Sequence, residues 1–188
     1  FARFVSEFAG GARDHGLMNL DTQLAQLDAQ QIIRRSEALE LEYMFKHTLT
    51  QETVYQSLLK KTRREIHAQV AQTFEREYAD RLDEFAALLA RHYAEAGDDA
   101  KTIEYATRAG DASARIYANV EAIAHYSIAI EAAKRIIGTT HTPGLLELYL
   151  KRGRKQELAS QFPAALANYF EMENLARERN DRALELGA

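Results

Sequence analysis

The hydrophobic positions along the chain follow two different periods. Phe1, Phe4, Val5 and Phe8 stand at i, i+3, i+4 and i+7, the spacing of one helix face, before Gly10, Gly11 and Gly16 interrupt it. Leu20, Leu24 and Leu27 share the face of a second helical stretch. Ile32 and Ile33 leave that stretch in a short strand, and Leu39, Leu41, Tyr43 and Phe45 alternate with polar residues as a second strand does. The two predict a small hairpin, or wing, that turns near Ser36, Glu37 and Ala38. After Phe45 the period changes from that of a strand to that of a helix. Thr50, followed by Gln51 and Glu52, suits a helix start, and Val54, Tyr55, Leu58 and Leu59 give that helix a buried stripe. Past a break near Thr62, Ile66, Val70, Phe74 and Tyr78 recur every fourth residue with Ala71 beside them, one face of a further helix.

From about Arg81 onward the pattern is helical throughout. Helices are expected over 83–96, 99–117, 120–137, 144–160 and 163–179. Gly97-Asp98-Asp99 reads as a turn with an N-cap, Asn119 as a second cap, Gly138 to Gly144 as a loop, and Pro163 as a first-turn proline. A helical hairpin cannot bury its apolar faces alone. Stacked hairpins can, provided small residues stand where helices cross. Tyr149 and Gly153, followed by Phe162, Ala165, Leu166, Tyr169 and Met172, fit the tetratricopeptide version of that logic. Ala86, Leu89, Ala90 and Tyr93, then Gly97, Thr102, Ile103 and Ala109, look like an earlier copy, and Ala122, Tyr126 and Ala129 like another second helix. Thr102 and Ala122 are 20 residues apart and Ala122 and Ala165 are 43 apart, not 34, so the array is degenerate. A plain irregular helical bundle is the alternative. The expected fold is therefore mainly α. A small winged-helix-like N-terminal unit over 1–80 is followed by an α-α superhelix of degenerate tetratricopeptide-like hairpins over 81–188. Ala90, Tyr93, Ala122, Tyr126, Ala129, Gly153, Ala165 and Tyr169 are its packing positions.

Composition sharpens this picture. The 188 residues hold only 2 prolines and 9 glycines, too few for a chain of many short strands and turns. With 46% hydrophobic and 28% charged residues the chain is ordinary globular material. Cysteine is absent, which removes disulfides, thiolate catalysis and thiolate metal sites, and fits a reducing, cytoplasmic setting. No apolar run of about 18 residues occurs, so no membrane span is expected. Phe1 stands where an initiator methionine would, pointing to a piece of a longer protein or a processed chain.

Candidate chemistry is sparse. A net charge of -4 offers no general attraction for nucleic acid. The local exception is Lys60, Lys61, Arg63 and Arg64, read first as a solvated helix terminus and second as an interface. The helical stretch from Leu20 to Gln31 offers Asp21, Gln23, Gln26, Asp28, Gln30 and Gln31 but neither Lys nor Arg, a poor DNA-recognition helix. No phosphate-binding loop, dinucleotide fingerprint or zinc-protease motif is present. His15, His47, His67, His92, His125 and His141 form no i, i+4 ligand pair, and His47 reads as packed or hydrogen-bonded. The carboxylate pairs Glu40/Glu42 and Asp98/Asp99 suit helix faces and caps. No catalytic, cofactor or metal residue is assigned, and the segment is expected not to be an enzyme by itself.

One stretch is distinctive: Tyr43-Met44-Phe45-Lys46-His47-Thr48-Leu49-Thr50-Gln51-Glu52-Thr53-Val54-Tyr55-Gln56-Ser57-Leu58-Leu59, continued by Arg63, Arg64, Ile66, His67 and Ala71. It resembles a segment of large signalling ATPases of the STAND class, found in bacterial adenylate/guanylate cyclases and kinases fused to an ATPase and in LuxR- or MalT-like regulators. Leu24, Leu27, Ile32, Ile33 and Arg34 are similar to a run in their winged-helix domain, and Ala90 to Asp98 resembles their first tetratricopeptide hairpin. The resemblance is most specific over 43–130. It implies an NTPase core upstream, where ATP would bind, and a cyclase, kinase or DNA-binding output domain elsewhere in the parent. This segment would then be a non-catalytic regulatory region with a protein or peptide as partner on the helical repeats and the NTPase module as partner in cis. Tyr55, Leu58, Leu59, Ile66, Val70 and Phe74 would couple the two units through a packed core, and Lys60, Lys61, Arg63 and Arg64 would form an interface. A free-standing helical scaffold and a fragment of a DNA-binding regulator are the alternatives.

Overall fold

The computed structural model describes residues 15–35, 43–136 and 143–178. Its elements run α1 (His15–Ala29), β1 (Ile33–Arg35), β2 (Tyr43–Phe45), α2 (Thr48–Ser57), α3 (Lys60–Glu77), α4 (Ala86–Ala96), α5 (Asp99–Arg115), α6 (Asn119–Ile136), α7 (Pro143–Leu158) and α8 (Phe162–Glu178). Phe1–Thr73 and Phe74–Ala188 form two compact units, the division falling inside α3.

In the first unit, β1 and β2 pair antiparallel with Ile33 opposite Phe45, Arg34 opposite Met44 and Arg35 opposite Tyr43. Helix α1 ends in a left-handed residue, Gln31 at φ 58°. The Gln31 amide donates to the Asp28 carbonyl and the Ile32 amide to the Leu27 carbonyl, which satisfies two carbonyls of the last turn. The expected strands thus meet, over three residues each. The reading of residues 1–8 as a helix and the turn near residue 36 lie outside the described residues. Helix α2 corrects two expectations. It begins at Thr48, so Thr50 lies inside it, and its N-cap His47 is exposed and makes no side-chain cap bond. Its stripe is not a buried one. No residue of α2 is buried, Val54 is 44% exposed, and Leu59, just beyond the helix, is 76% exposed. The period was right, but burial needs a neighbour on that face. Among the described residues of this unit, Ile33, Val70 and Ala71 are the buried hydrophobics, and Tyr55, Leu58 and Ile66 are half-buried.

The second unit is mainly α-helical. Each helix packs on the next, α4 on α5, α5 on α6, α6 on α7 and α7 on α8, the arrangement of helical-repeat proteins. At its start Phe74, Tyr78 and Phe85 form an aromatic cluster with ring centroids 4.7 to 5.4 Å apart. Small side chains dominate the buried face: Ala86, Ala90, Ala106, Ala109, Ala122, Ala129, Ala132, Ala133, Ala165 and Ala176, interleaved with Tyr93, Tyr105, Tyr126 and Tyr149. Alanine lets helix backbones approach closely while keeping the highest helix propensity, and the tyrosines fill the space between.

Three of the turns are the same turn. Gly97, Tyr117 and Ser160 are left-handed, at φ 80°, 60° and 59°. In each, the left-handed residue donates to the carbonyl three back and the next residue to the carbonyl five back: Asp98 to Tyr93, Ala118 to Ser113, Gln161 to Gln156. Glycine suits that geometry at position 97. At 117 and 160 a residue with a Cβ tolerates it, because the pair of carbonyl bonds and the packing of the next helix hold it there. Asp98 then caps α5, accepting from the Lys101 amide at 3.0 Å. Asn119 does not cap α6. It is the first helical residue, and its buried Oδ1 has no hydrogen-bond partner.

The spacing of 43 residues is a real correspondence within this unit. Gly110 and Gly153 are each crossed by a tyrosine ring of the following helix, Tyr126 and Tyr169. A Cβ on either glycine would lie 2.5 Å from that ring. Thr102 matches Leu145, Tyr117 matches Ser160, Ala122 matches Ala165, Ala129 matches Met172 and Ala133 matches Ala176, every helical pair being buried. The α5–α6 and α7–α8 hairpins are thus built alike.

Candidate interaction surface

Three polar networks tie successive helices of the second unit together. Glu75, in the last turn of α3, accepts from the hydroxyls of Tyr93 on α4 and Tyr105 on α5 and from Lys101 Nζ at 2.9 Å. Burial pushes the Glu75 carboxyl up, but these hydrogen bonds from Tyr105, Tyr93 and Lys101 outweigh it and hold the group below the ordinary carboxylate range. Burial first, and Glu75 second, push both phenols well above their ordinary value. Asp111 on α5 accepts from Tyr126 Oη of α6 at 2.7 Å and from Lys151 Nζ of α7 at 3.0 Å. Lys134 on α6 reaches Glu171 of α8 at 2.6 Å. Beside it Arg152 of α7 donates to Asn168 Oδ1 at 2.7 Å, and Asn168 donates to the Tyr149 carbonyl at 2.9 Å. Burial pushes the Tyr149 phenol up to about 12, with Lys134 opposing and Glu171 adding to the shift.

These groups are occupied with one another. Tyr93, Tyr105 and Tyr126 keep their protons at neutral pH and donate hydrogen bonds to carboxylates, so the networks act as struts across three helices rather than as activated nucleophiles. Among the described residues no three His, Asp or Glu side chains are grouped to hold a metal ion, and no helix is long and apolar enough to cross a membrane. His125 Nδ1, like Tyr149 Oη and Gln156 Oε1, is buried with no hydrogen-bond partner, and burial holds the His125 pKa below the usual value against the pull of Glu121.

Several large apolar side chains are also exposed. The α5–α6 and α7–α8 turns lie at the same end of the helix series, because successive helices run antiparallel. Ile116, Tyr117 and Val120 at the first turn and Leu158 and Phe162 at the second are all more than 60% exposed. Leu166 and Phe170 continue the exposed apolar surface along α8.

The packing positions read from the sequence are placed as follows. Ala90, Tyr93, Ala122, Tyr126, Ala129, Gly153 and Ala165 are buried, and Tyr169 is half-buried over Gly153. Of the six coupling residues, Val70 is buried and Tyr55, Leu58, Ile66 and Phe74 are half-buried; Leu59 is exposed and lies outside any packed core. Tyr55 Oη lies 3.0 Å from His67 Nε2, and Arg63 covers the Tyr55 ring at 5.1 Å. Lys60, Lys61 and Arg64 are exposed and Arg63 half-buried, all in the first turns of α3, where the helix dipole disfavours cations. Lys61 has a partner one turn along the same helix in Glu65, at 3.9 Å. Sequence reasoning missed Gly110, although a glycine inside a helix 16 residues before a tyrosine repeats the Gly153–Tyr169 signal. It also missed Glu75, Asp111 and Glu171, whose partners are remote in sequence.

Compared with models of known protein families, with curated proteins and with solved structures, the chain has no match.

Proposed function

We propose that this chain is a regulatory and protein-interaction region of a larger nucleotide-dependent signalling protein of the STAND kind, with a winged-helix-like unit over 1–80 and tetratricopeptide-like hairpins over 81–188. The observation that carries the interaction role is the exposed apolar surface formed by Ile116, Tyr117, Val120, Leu158 and Phe162 at one end of the helix series. Isolated exposed hydrophobics are ordinary, but a cluster on a rigidly strutted scaffold suits a protein or peptide partner. The nucleotide-switch part rests on residues 43–130 and on the four cations at the start of α3. That placement costs helix stability and gains most if an acidic surface, such as a neighbouring NTPase module, faces it. In this reading the parent is cytoplasmic, ATP binds upstream, and partner binding on the hairpins alters the NTPase state by way of Tyr55, Leu58, Ile66, Val70 and Phe74. Leu59 then serves as an exposed contact rather than as core.

The test begins with the coding sequence on both sides of the segment. A phosphate-binding loop upstream supports the reading; flanks with no nucleotide site leave a helical scaffold and end the switch. In the intact parent, replacing Lys60, Lys61, Arg63 and Arg64 together by Ser should change nucleotide turnover while the melting temperature stays within a few degrees. Unchanged turnover removes the interface role. Strongly salt-dependent DNA binding by the intact chain would instead favour a DNA-binding regulator.

A further inference from the structure

Helix α8 carries a face that nothing in this chain's described structure covers. Phe162, Leu166 and Phe170 recur every fourth residue and are 63%, 58% and 55% exposed, while Ala165, Asn168, Met172 and Ala176 are buried on the other side. Exposed Pro163, Ala164 and Ala167 flank the stripe, and no charged residue occurs from Leu158 through Phe170.

The repeat shows what this face receives elsewhere in the series. Asn119, Ile123 and Ser127 of α6 correspond to Phe162, Leu166 and Phe170 of α8, 43 residues on. In α6 that face is half-buried and lies against α7, whose Arg152 Nη1 donates to Ser127 Oγ at 3.3 Å. Lys134 sits over the Tyr149 ring and Ser127 beside Arg152, so α7 runs antiparallel to α6. The uncovered α8 face is therefore shaped for an antiparallel helix. Phe170 stands where Ser127 would accept from an arginine, so the helix that docks on α8 must be apolar at that point.

We infer that the occupant is α8 of a second copy of this chain, packed antiparallel about a two-fold axis at Leu166. The stripe is the same read in either direction, Phe–Leu–Phe, so a two-fold sets Phe162 of each copy against Phe170 of the other and Leu166 against itself. Such self-complementarity is the requirement of an isologous pair. With no charge along the contact, no like-charged groups are forced together. The three side chains expose roughly 350 Å² per copy, under half of the ~800 Å² per partner of a standard stable interface. The dimer is accordingly a reversible, concentration-dependent one. It depends on the helix series alone and not on an upstream NTPase.

The absence of cysteine makes the test clean, because any introduced thiol is unique. Sedimentation equilibrium of the intact chain should show a monomer–dimer equilibrium in the micromolar to submillimolar range. Leu166→Glu should weaken it by at least about tenfold, with an unchanged circular-dichroism spectrum because Leu166 is exposed. Leu166→Cys should form a covalent dimer under mild oxidation much faster than Leu158→Cys, which is equally exposed but off the axis. A mixture of Phe162→Cys and Phe170→Cys chains should cross-link faster than either alone. A protein that stays monomeric throughout that range, as it would if another segment of its own chain covered α8, overturns the inference. So does a dimer unaffected by Leu166→Glu, or equal cross-linking rates at 158 and 166.

Discussion

Gly110 and Gly153 occupy the same place in their hairpins, yet the ring over each is held differently. Tyr126 is buried, its hydroxyl fixed by Asp111, which Lys151 of α7 also holds. Tyr169 is half-buried at the end of the series, with Glu157 and Arg154 near its hydroxyl. The α5–α6 hairpin has a helix on each side; among the described residues the α7–α8 hairpin has one on α7 alone. The same local design thus stands as a buried, braced crossing inside the series and a half-buried one at its end. A mid-helix glycine lowers intrinsic helix stability by about 1 kcal/mol, so its presence at both crossings reflects the contact each makes possible.

Overpacking should separate the two crossings most strongly. Gly110→Leu should cost about 3 kcal/mol or more in urea unfolding, because the Tyr126 ring cannot leave, while Gly153→Leu should cost about 1 kcal/mol as Tyr169 swings outward. Equal losses would break the comparison. Asp111→Asn should come next, at about 1 kcal/mol, since it weakens bonds to both Tyr126 and Lys151 in a partly exposed place. Removing Tyr169's hydroxyl with Tyr169→Phe should cost less than Tyr126→Phe; a reversed order would show that the end hairpin is the stiffer one.

His125 and Asn168 correspond at the 43-residue spacing and differ in chemistry. Asn168 is bonded through both its amide oxygen and its amide nitrogen, whereas His125 is partly buried and held below its ordinary pKa. Because the unfolded state takes up its proton first, stability should fall as pH drops below about 6.5 toward the lower native value. His125→Asn should flatten that stretch of the melting-temperature profile. Glu75 and Glu171, both held below the ordinary carboxylate range, should produce a separate loss below about pH 4.5 that the substitution leaves intact. A profile unchanged between pH 5 and 7 in both proteins would show that His125 reaches solvent. The smallest effect concerns the turns. Tyr117→Gly and Ser160→Gly should each stabilise by up to about 1 kcal/mol, the relief of a left-handed Cβ less the chain entropy of glycine. A loss at Tyr117 alone would mean that its 82% exposed ring has a partner in solution.

The positions of helices α4 to α8 were legible to within about three residues. Alanines and tyrosines at helical spacing marked the buried faces, and Gly97-Asp98 punctuated the first turn. Gly153 could be placed at a helix crossing because a helix interior rarely keeps a glycine without a close approach, whereas its contact with Tyr169 came from the packing. Leu59 and Val54 could not be sorted, since period shows which residues share a face and not whether anything lies on it. The left-handed residues Tyr117 and Ser160 were also hidden: neither side chain asks for that conformation, and only the carbonyls of the preceding turn impose it.

The sequence by itself determined the helical character of the second unit, the small-residue crossings and the absence of thiol chemistry. Those depend on neighbours three or four residues apart, or on composition alone. Only the tertiary structure decided that Glu75, Asp111 and Glu171 each brace successive helices, through partners 18 to 30, 15 to 40 and 37 residues away respectively. It alone decided that the 43-residue spacing relates two hairpins of one build, and that the apolar face closed on α6 stands open on α8. Those outcomes depend on which helices meet in space. An amphipathic pattern requires that its face be covered, but the identity of the cover comes from the packing.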